Sequence, residues 1–372
     1  MKKFNLNIYK DFQIYFNLLD VLIKNVSSNK ELYLENINIS PSSYRRVKKE
    51  GNKIGETILN KLAEHFDYNL CTNELIDEIE DKINKIYYDV YYKDYENYQI
   101  HYKWLDEMLS KRYIIYPIFQ LFKLLMTLNN QDSPSFVIPE NQAFYEEIRQ
   151  YYEFLQDEFS EIIELLDVTF RKEVDDCFLV KKYLNELTYH TLASRCYFMK
   201  RYLESIYFCN IVKEKYIHDE NYKRVYYINL TLISNYNFLL SFDDACLLAQ
   251  KQLKTLESTK NLGMEYELTK KSYIVTCLGL KKYNDIINML SNKERMKLTE
   301  ICCLLISFYY VDKEKYINLM NELLMSDKNS ITYKFVKLLN SILKSNNKKL
   351  INELENFDIN KSIIEILKKC YF

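Results

Sequence analysis

Glycine and proline are nearly missing from this chain: four of each occur in 372 residues. A parallel α/β enzyme of that length needs many more turn residues, so the scarcity points to an all-α fold. With glycine only at 51, 55, 263 and 279, neither a Walker loop nor a G-x-G-x-x-G dinucleotide fingerprint can be written. The histidines, His65, His101, His190 and His218, are dispersed and form no H-E-x-x-H zinc motif. Nine cysteines occur, but none in a C-x-x-C pair, and adjacent Cys302 and Cys303 lack zinc-ligand spacing. The longest apolar run, Ile301 to Val311, is too short to span a bilayer. Asp175-Asp176 and Asp243-Asp244 read as helix starts rather than catalytic pairs. No nucleophile–base arrangement is legible. The expectation is a non-enzyme with no cofactor, no metal and no membrane partner.

What is present is apolar and aromatic. Hydrophobic residues make up 48% of the chain, enough for a proper core, and there are 35 tyrosines. The length fits two or three domains or one long repeat array. Net charge is −1, so the chain as a whole does not read as a nucleic-acid binder. The charge is uneven, however. Basic residues gather between Arg45 and Lys53, whereas 71–180 is acidic, with runs such as ELIDEIED and QDEFSEIIELLD. A basic reading end before an acidic body fits a two-part regulator. Lys2 and Lys3 precede no apolar signal core, and the cysteines are scattered, so a reduced, cytoplasmic protein is expected.

The stretch from Lys30 to Leu70 holds three short amphipathic segments. Leu32, Leu34, Ile37 and Ile39 form the first apolar set. Ser40-Pro41 restarts a helix, since serine caps and proline suits a first turn. Tyr44 and Val47, three apart, would face inward, leaving Arg45, Arg46, Lys48 and Lys49 on outer faces. Gly51 lies where the chain can turn. Glu56 to Phe66 forms the next helix, with Ile58, Leu59, Leu62, Ala63 and Phe66 on one side. A short helix, a tight turn and a basic second helix is the helix-turn-helix layout. The NIS turn, the Tyr44-x-x-Val47 pair and ETILNKLAEHFDYNL resemble the Xre/Cro-type helix-turn-helix family. That resemblance implies five small helices, with Pro41 to Lys49 as the recognition helix in the major groove. The candidate DNA contacts are Lys30, Ser42, Ser43, Arg45, Arg46, Lys48, Lys49 and Lys53. The same pattern also suits an ordinary helical hairpin with a solvated basic face.

Around this stretch, periodicity predicts a first helix from Asn5 to Lys24 and a connecting helix from Leu70 to Tyr88. Asp89 to Ile100 is tyrosine-rich and polar. Residues 102–128 and 141–170 read as helical, separated by the loop QDSPSFVIPE at 131–140.

From about residue 181 a repeat emerges: an apolar helix, a polar break, an aromatic, then a second apolar helix. The aromatics Tyr202, Phe242, Tyr283 and Tyr316 are 40, 41 and 33 residues apart, the period of helix-turn-helix solenoids. The units resemble tetratricopeptide repeats, with Ala193 and Ala245 near packing positions. Ile331 to Leu343 and Lys348 to Lys369 would cap the array. A concave solenoid face suits an extended ligand, and asparagine amides suit a peptide backbone. Arg195, Asn210, Arg224, Asn229, Asn235 and Asn237 are the candidate peptide contacts, although for each residue taken singly a surface or capping role is the favoured reading.

An Xre-like reader followed by a degenerate tetratricopeptide array resembles the peptide-pheromone-responsive regulators of Gram-positive bacteria, the Rgg-, PlcR- and phage AimR-type proteins. The resemblance implies a DNA-binding domain at 1–70, a connecting region at 71–100, and a sensor and dimerisation domain at 101–372. It also implies a cytoplasmic homodimer that binds operator DNA and a short signalling peptide. The alternatives are a ligand-independent regulator and a helical-repeat adaptor acting by protein–protein contact.

Overall fold

The computed structural model describes residues 2–50, 53–129, 139–170, 185–291, 295–325, 328–345 and 347–371. Every regular element among them is a helix. The single exception to helical pairing is an isolated bridge between Asn69 and Tyr113. The all-α expectation therefore holds. The chain divides into two compact units, Met1–Arg195 and Cys196–Phe372.

The first unit contains α1 (Tyr15–Val26), α2 (Lys30–Asn36), α3 (Pro41–Glu50), α4 (Lys53–His65), α5 (Asn73–Tyr92), α6 (Tyr98–Ser110), α7 (Tyr116–Asn129), α8 (Pro139–Arg149) and α9 (Tyr152–Phe170). The expected helix from Asn5 begins ten residues late, at Tyr15. Asp11 breaks the run, because its carboxylate accepts from Gln13 N at 2.9 Å. Ahead of it the backbone donors go to side chains of other helices. Phe4 N donates to Asn84 Oδ1 at 2.8 Å, and Leu6 N to Glu80 Oε2 at 2.6 Å. Phe4 is buried against Tyr87, Phe122 and Phe159, which fixes this segment on α5, α7 and α9.

Other boundaries also move. The connecting helix starts at Asn73 under a Thr72 cap and runs on to Tyr92, where Lys93 adopts φ 53° and ends it. The run 102–128 is two helices, because Arg112 takes φ 51° between them. The run 141–170 likewise divides at Gln150–Tyr151. The loop expected at 131–140 lies outside the described residues up to Pro139, which opens α8. Residues 66–69 are tied to the α6–α7 turn: Asn69 N donates to Arg112 O and Ile114 N to Asn69 O, both at 2.9 Å. The segment 1–70 is thus packed into one unit with α5 to α9, and neither residue 70 nor residue 100 coincides with the division of the chain.

After α10 (Glu186–Phe198), the second unit contains α11 (Tyr202–His218), α12 (Tyr222–Phe238), α13 (Phe242–Ser258), α14 (Met264–Gly279), α15 (Tyr283–Leu290), α16 (Leu298–Val311), α17 (Lys313–Leu324) and α18 (Ile331–Ser345). Short α19 (Lys348–Ile351), a 3-10 turn at Asn352–Asn356 and α20 (Lys361–Ile366) close the chain. The single capping helix expected from Lys348 to Lys369 is therefore broken. Asn360 restarts it, its side chain accepting from Ser362 N at 3.0 Å.

The turns explain how so few glycines suffice. Lys200, Glu220, Leu240, Lys260 and Lys281 all have φ between 56° and 61°, at intervals of 20, 20, 20 and 21 residues. After each, the next N–H reaches back five residues, as in Arg201 N to Cys196 O and Ser241 N to Tyr236 O, both 2.8 Å. This is the Schellman termination, built here on L-residues rather than glycine. Consecutive helices pack together, and so do alternate ones, α12 with α14 and α14 with α16. The spaced aromatics sit at these junctions. Tyr202 stacks on Phe238 with centroids 4.9 Å apart, Tyr283 stacks on Tyr310 at 5.3 Å, and Phe242 lies against Gly279. Tyr316 donates from its hydroxyl to Asn340 Oδ1 at 2.9 Å.

Candidate nucleic-acid interface and the helical array

The basic stretch folds as three short helices because its caps and its packing agree. The Asn29 side chain accepts from Leu32 N at 3.1 Å and starts α2. Asn38 takes φ 58°, and Ile39 N returns to Leu34 O at 2.8 Å, so α2 stops in a tight turn. Pro41 opens α3. Tyr44 and Val47 are buried, as expected, and the Tyr44 ring meets Phe16 edge-on at 5.3 Å. Gly51 lies outside the described residues. The glycine that matters for packing is Gly55: a Cβ there would fall 2.5 Å from Phe12 Cε2 and 2.7 Å from Val47 Cγ1. A side chain at 55 would push α4 off α3.

The basic residues separate into two groups. Arg46 and Lys49 are exposed and make no ion pair with any described residue. Ser42, Arg45, Arg46 and Lys49 share the outward face at three- and four-residue spacing. Ser42 is exposed with its hydroxyl 2.7 Å from that of Ser40, and Ser43 is half-buried. Arg45 pairs with Glu31, and both side chains are more than half exposed. Lys48 and Lys30 are held elsewhere: both ammonium groups are bound by the carboxylate of Asp20 on α1, which also accepts from Tyr44 OH at 2.6 Å. Lys48 is exposed like the other three α3 cations, and differs from Arg46 and Lys49 in being ion-paired. Lys30, at the start of α2, is half-buried. Lys53 begins α4, and its side chain lies outside the described residues.

Asp20 was not legible as part of the site, since a lone acid on an amphipathic helix carries no sequence signal. Burial alone would raise its pKa. Hydrogen bonds from Lys30, Lys48 and Tyr44 outweigh that and hold it below the ordinary carboxylate range.

The residues expected to meet a peptide are mostly packed between helices. Asn235 is fully buried, and its amide donates to Ser205 Oγ at 2.8 Å and to Thr231 O at 2.9 Å. Asn237 is buried and accepts from Thr276 Oγ1 at 3.0 Å. Arg224 is buried near the Tyr216 ring, and Asn229 is also buried. These four side chains are therefore buried among the helices rather than lining an exposed row. In the first unit, the Arg195 guanidinium donates to Val168 O. Asn210 is the exposed member of the set.

The face of alternating helices is covered as well. Every residue from Tyr273 to Leu278 in α14, and from Glu300 to Phe308 in α16, is buried. A helix buried all round needs a neighbour on each side. The end of the chain supplies one. α20 packs on α12 and α14, Tyr371 OH donates to Leu278 O at 2.8 Å, and Asn360 N donates to Thr299 Oγ1 at 3.0 Å. Ile359, Ile363, Ile364, Ile366 and Leu367 join the core cluster of α13 to α18.

Reactive chemistry is absent from these positions. Cys196, Cys209, Cys246, Cys277, Cys302 and Cys303 are buried. Burial pushes the thiols of Cys209, Cys277 and Cys302 up to about 12, so they stay protonated and inert at neutral pH. No metal-binding group of side chains occurs among the described residues. One buried polar pair was not foreseen: His101 Nε2 lies 2.6 Å from Asp89 Oδ2, joining α5 to α6. No helix of the described residues is long and apolar enough to cross a membrane. Compared with family models, with curated proteins and with solved structures, the chain matches none.

Proposed function

We propose that this chain is a DNA-binding transcriptional regulator, in which α2, its turn and α3 form a helix-turn-helix and α3 enters the major groove. One observation carries the reading. Tyr44 and Val47 are buried beneath α3 while Ser42, Arg45, Arg46 and Lys49 occupy its outward face, two of the cations with no internal partner. That is the division of labour a recognition helix needs, with apolar anchors below and phosphate- and base-seeking donors above. One such helix covers only a few base pairs, so a cytoplasmic homodimer on two half-sites is part of the proposal.

The second unit is proposed to be a tetratricopeptide-like array that acts through protein–protein contact, dimerisation included. The all-round burial of residues 273–278 in α14 and 300–308 in α16, with the segment after Asn360 packed there, supports this role over an open peptide groove. Peptide control is the second reading. It is favoured by Asn229 Oδ1, Asn235 Oδ1 and Gln252 Oε1, buried acceptors with no hydrogen-bond donor, which a peptide N–H would satisfy. On that reading the closing segment must move for a peptide to enter. Footprinting DNA from beside the protein's own gene tests the main proposal. Two protected half-sites, spaced by whole helical turns, are expected. No protected segment under any salt condition would overturn it.

A further inference from the structure

We infer that Asp20 is a positioning residue that sets how many cations the α3 face offers to DNA, by holding Lys30 and Lys48 back. The inference rests on the DNA-binding reading of α3.

Asp20 lies on α1, and its side chain is one-quarter exposed. Lys30 from the start of α2 and Lys48 from the end of α3 both reach its carboxylate, one on each oxygen. Tyr44 OH adds a third donor at 2.6 Å, and Lys30 Nζ also sits 4.3 Å from the centre of the Tyr44 ring. Three elements therefore converge on one partly buried anion. This differs from the Arg45–Glu31 pair, whose side chains are 67% and 61% exposed. An exposed pair of that kind is worth little and yields readily to a phosphate. Lys30 and Lys48 are each 38% exposed, but the carboxylate they share is only 26% exposed and holds them more firmly. A phosphate that drew either one away would strip a donor from a mostly buried carboxylate and approach that carboxylate's own charge.

Two consequences follow. The electrostatic footprint on DNA is smaller by two cations than the sequence implies. The same contacts lock α3 to α1 and α2, so the outward Arg46 and Lys49 are presented at a fixed angle. Removing the charge in Asp20→Asn frees both lysines for phosphates. Each added phosphate contact steepens the dependence of log affinity on log salt by about 0.9. Over a fourfold rise in salt, that is about a 3.5-fold larger loss of affinity per freed cation.

The experiment is fluorescence anisotropy of the full chain on a labelled mixed-sequence duplex of about two helical turns, across a salt series. Wild type, Asp20→Asn, Asp20→Glu, Lys48→Gln and the Asp20→Asn/Lys48→Gln double variant are compared, each with its helix content by circular dichroism. The slope should steepen in Asp20→Asn and return toward wild type in Asp20→Glu. It should be unchanged in Lys48→Gln, whereas the double variant should lose one of the two increments. A shallower slope in Lys48→Gln alone would overturn the inference, because Lys48 would already be on a phosphate. That arm decides the matter even if Asp20→Asn loses helix. Wild-type binding with an unchanged slope in a folded Asp20→Asn would overturn this inference and leave the DNA reading standing. No duplex binding by folded wild type would overturn both.

Discussion

Gly279 ends α14 directly against the ring of Phe242, the first residue of α13. A Cβ at 279 would fall 2.4 Å from Phe242 Cε1, 2.5 Å from Cδ1 and 2.6 Å from Cζ. Two effects compete in Gly279→Ala. Alanine is favoured over glycine in a helix by about 1 kcal/mol. Forcing a methyl into a filled contact costs about 1–3 kcal/mol. Here three atoms along one ring edge are overlapped, so the ring must move as a body and the upper part of that range applies. The expected net change is a loss of about 1–2 kcal/mol, or roughly 2–8 °C in melting temperature for a unit of this size. Phe242→Leu in the same chain should relieve the overlap, giving a coupling of about 1 kcal/mol in a double-mutant cycle. Urea titrations followed by far-ultraviolet circular dichroism measure all three variants. A Gly279→Ala protein about 1 kcal/mol more stable than wild type would refute the reasoning. It would mean that the aromatic at the start of one helix does not seat on the end of the next.

Three further outcomes are expected. Lys260, exposed with φ 56°, should accept glycine with a gain of about 0.5–1 kcal/mol, read from the urea midpoint; a loss would contradict the left-handed cap. Asn235→Ala should cost about 1–3 kcal/mol, because Ser205 Oγ and Thr231 O lose a buried donor, so any change in peptide response must be measured against that loss. The lowered pKa of Asp20 makes its contribution fully present above the unfolded carboxylate value of about 4 and lost as pH falls through the lower folded value. Acid titration of stability should therefore be flatter in Asp20→Asn than in wild type, and parallel curves would contradict the three-donor arrangement.

Much of the helical plan was legible because apolar spacing of three and four is a local signal. Tyr44 and Val47 were placed inward on that basis and are buried. The aromatic period found the junctions between helices, since each ring begins or nearly begins its helix. What escaped was whatever depends on a distant partner. Ahead of Asp11, the backbone donors of Phe4, Asn5 and Leu6 are taken by Asn84, Glu158 and Glu80, all far away in sequence. Lys48 reads as a free surface cation by position, and its pairing depends on Asp20, twenty-eight residues earlier on α1. The asparagines of α12 read as a ligand row because sequence does not distinguish an open face from an interhelical one. The turn positions were not legible either. Five successive turns use lysine, glutamate or leucine in the left-handed conformation, so a chain poor in glycine still terminates its helices sharply.

The central claim is that the outward face of α3 holds DNA. Its most direct test is the duplex affinity of Arg46→Gln/Lys49→Gln beside wild type, across salt, with helix content checked in both. Two lost phosphate contacts should weaken binding at every salt concentration and make the salt slope shallower by about 1.8. Equal affinity and equal slope in two equally folded proteins would contradict the claim.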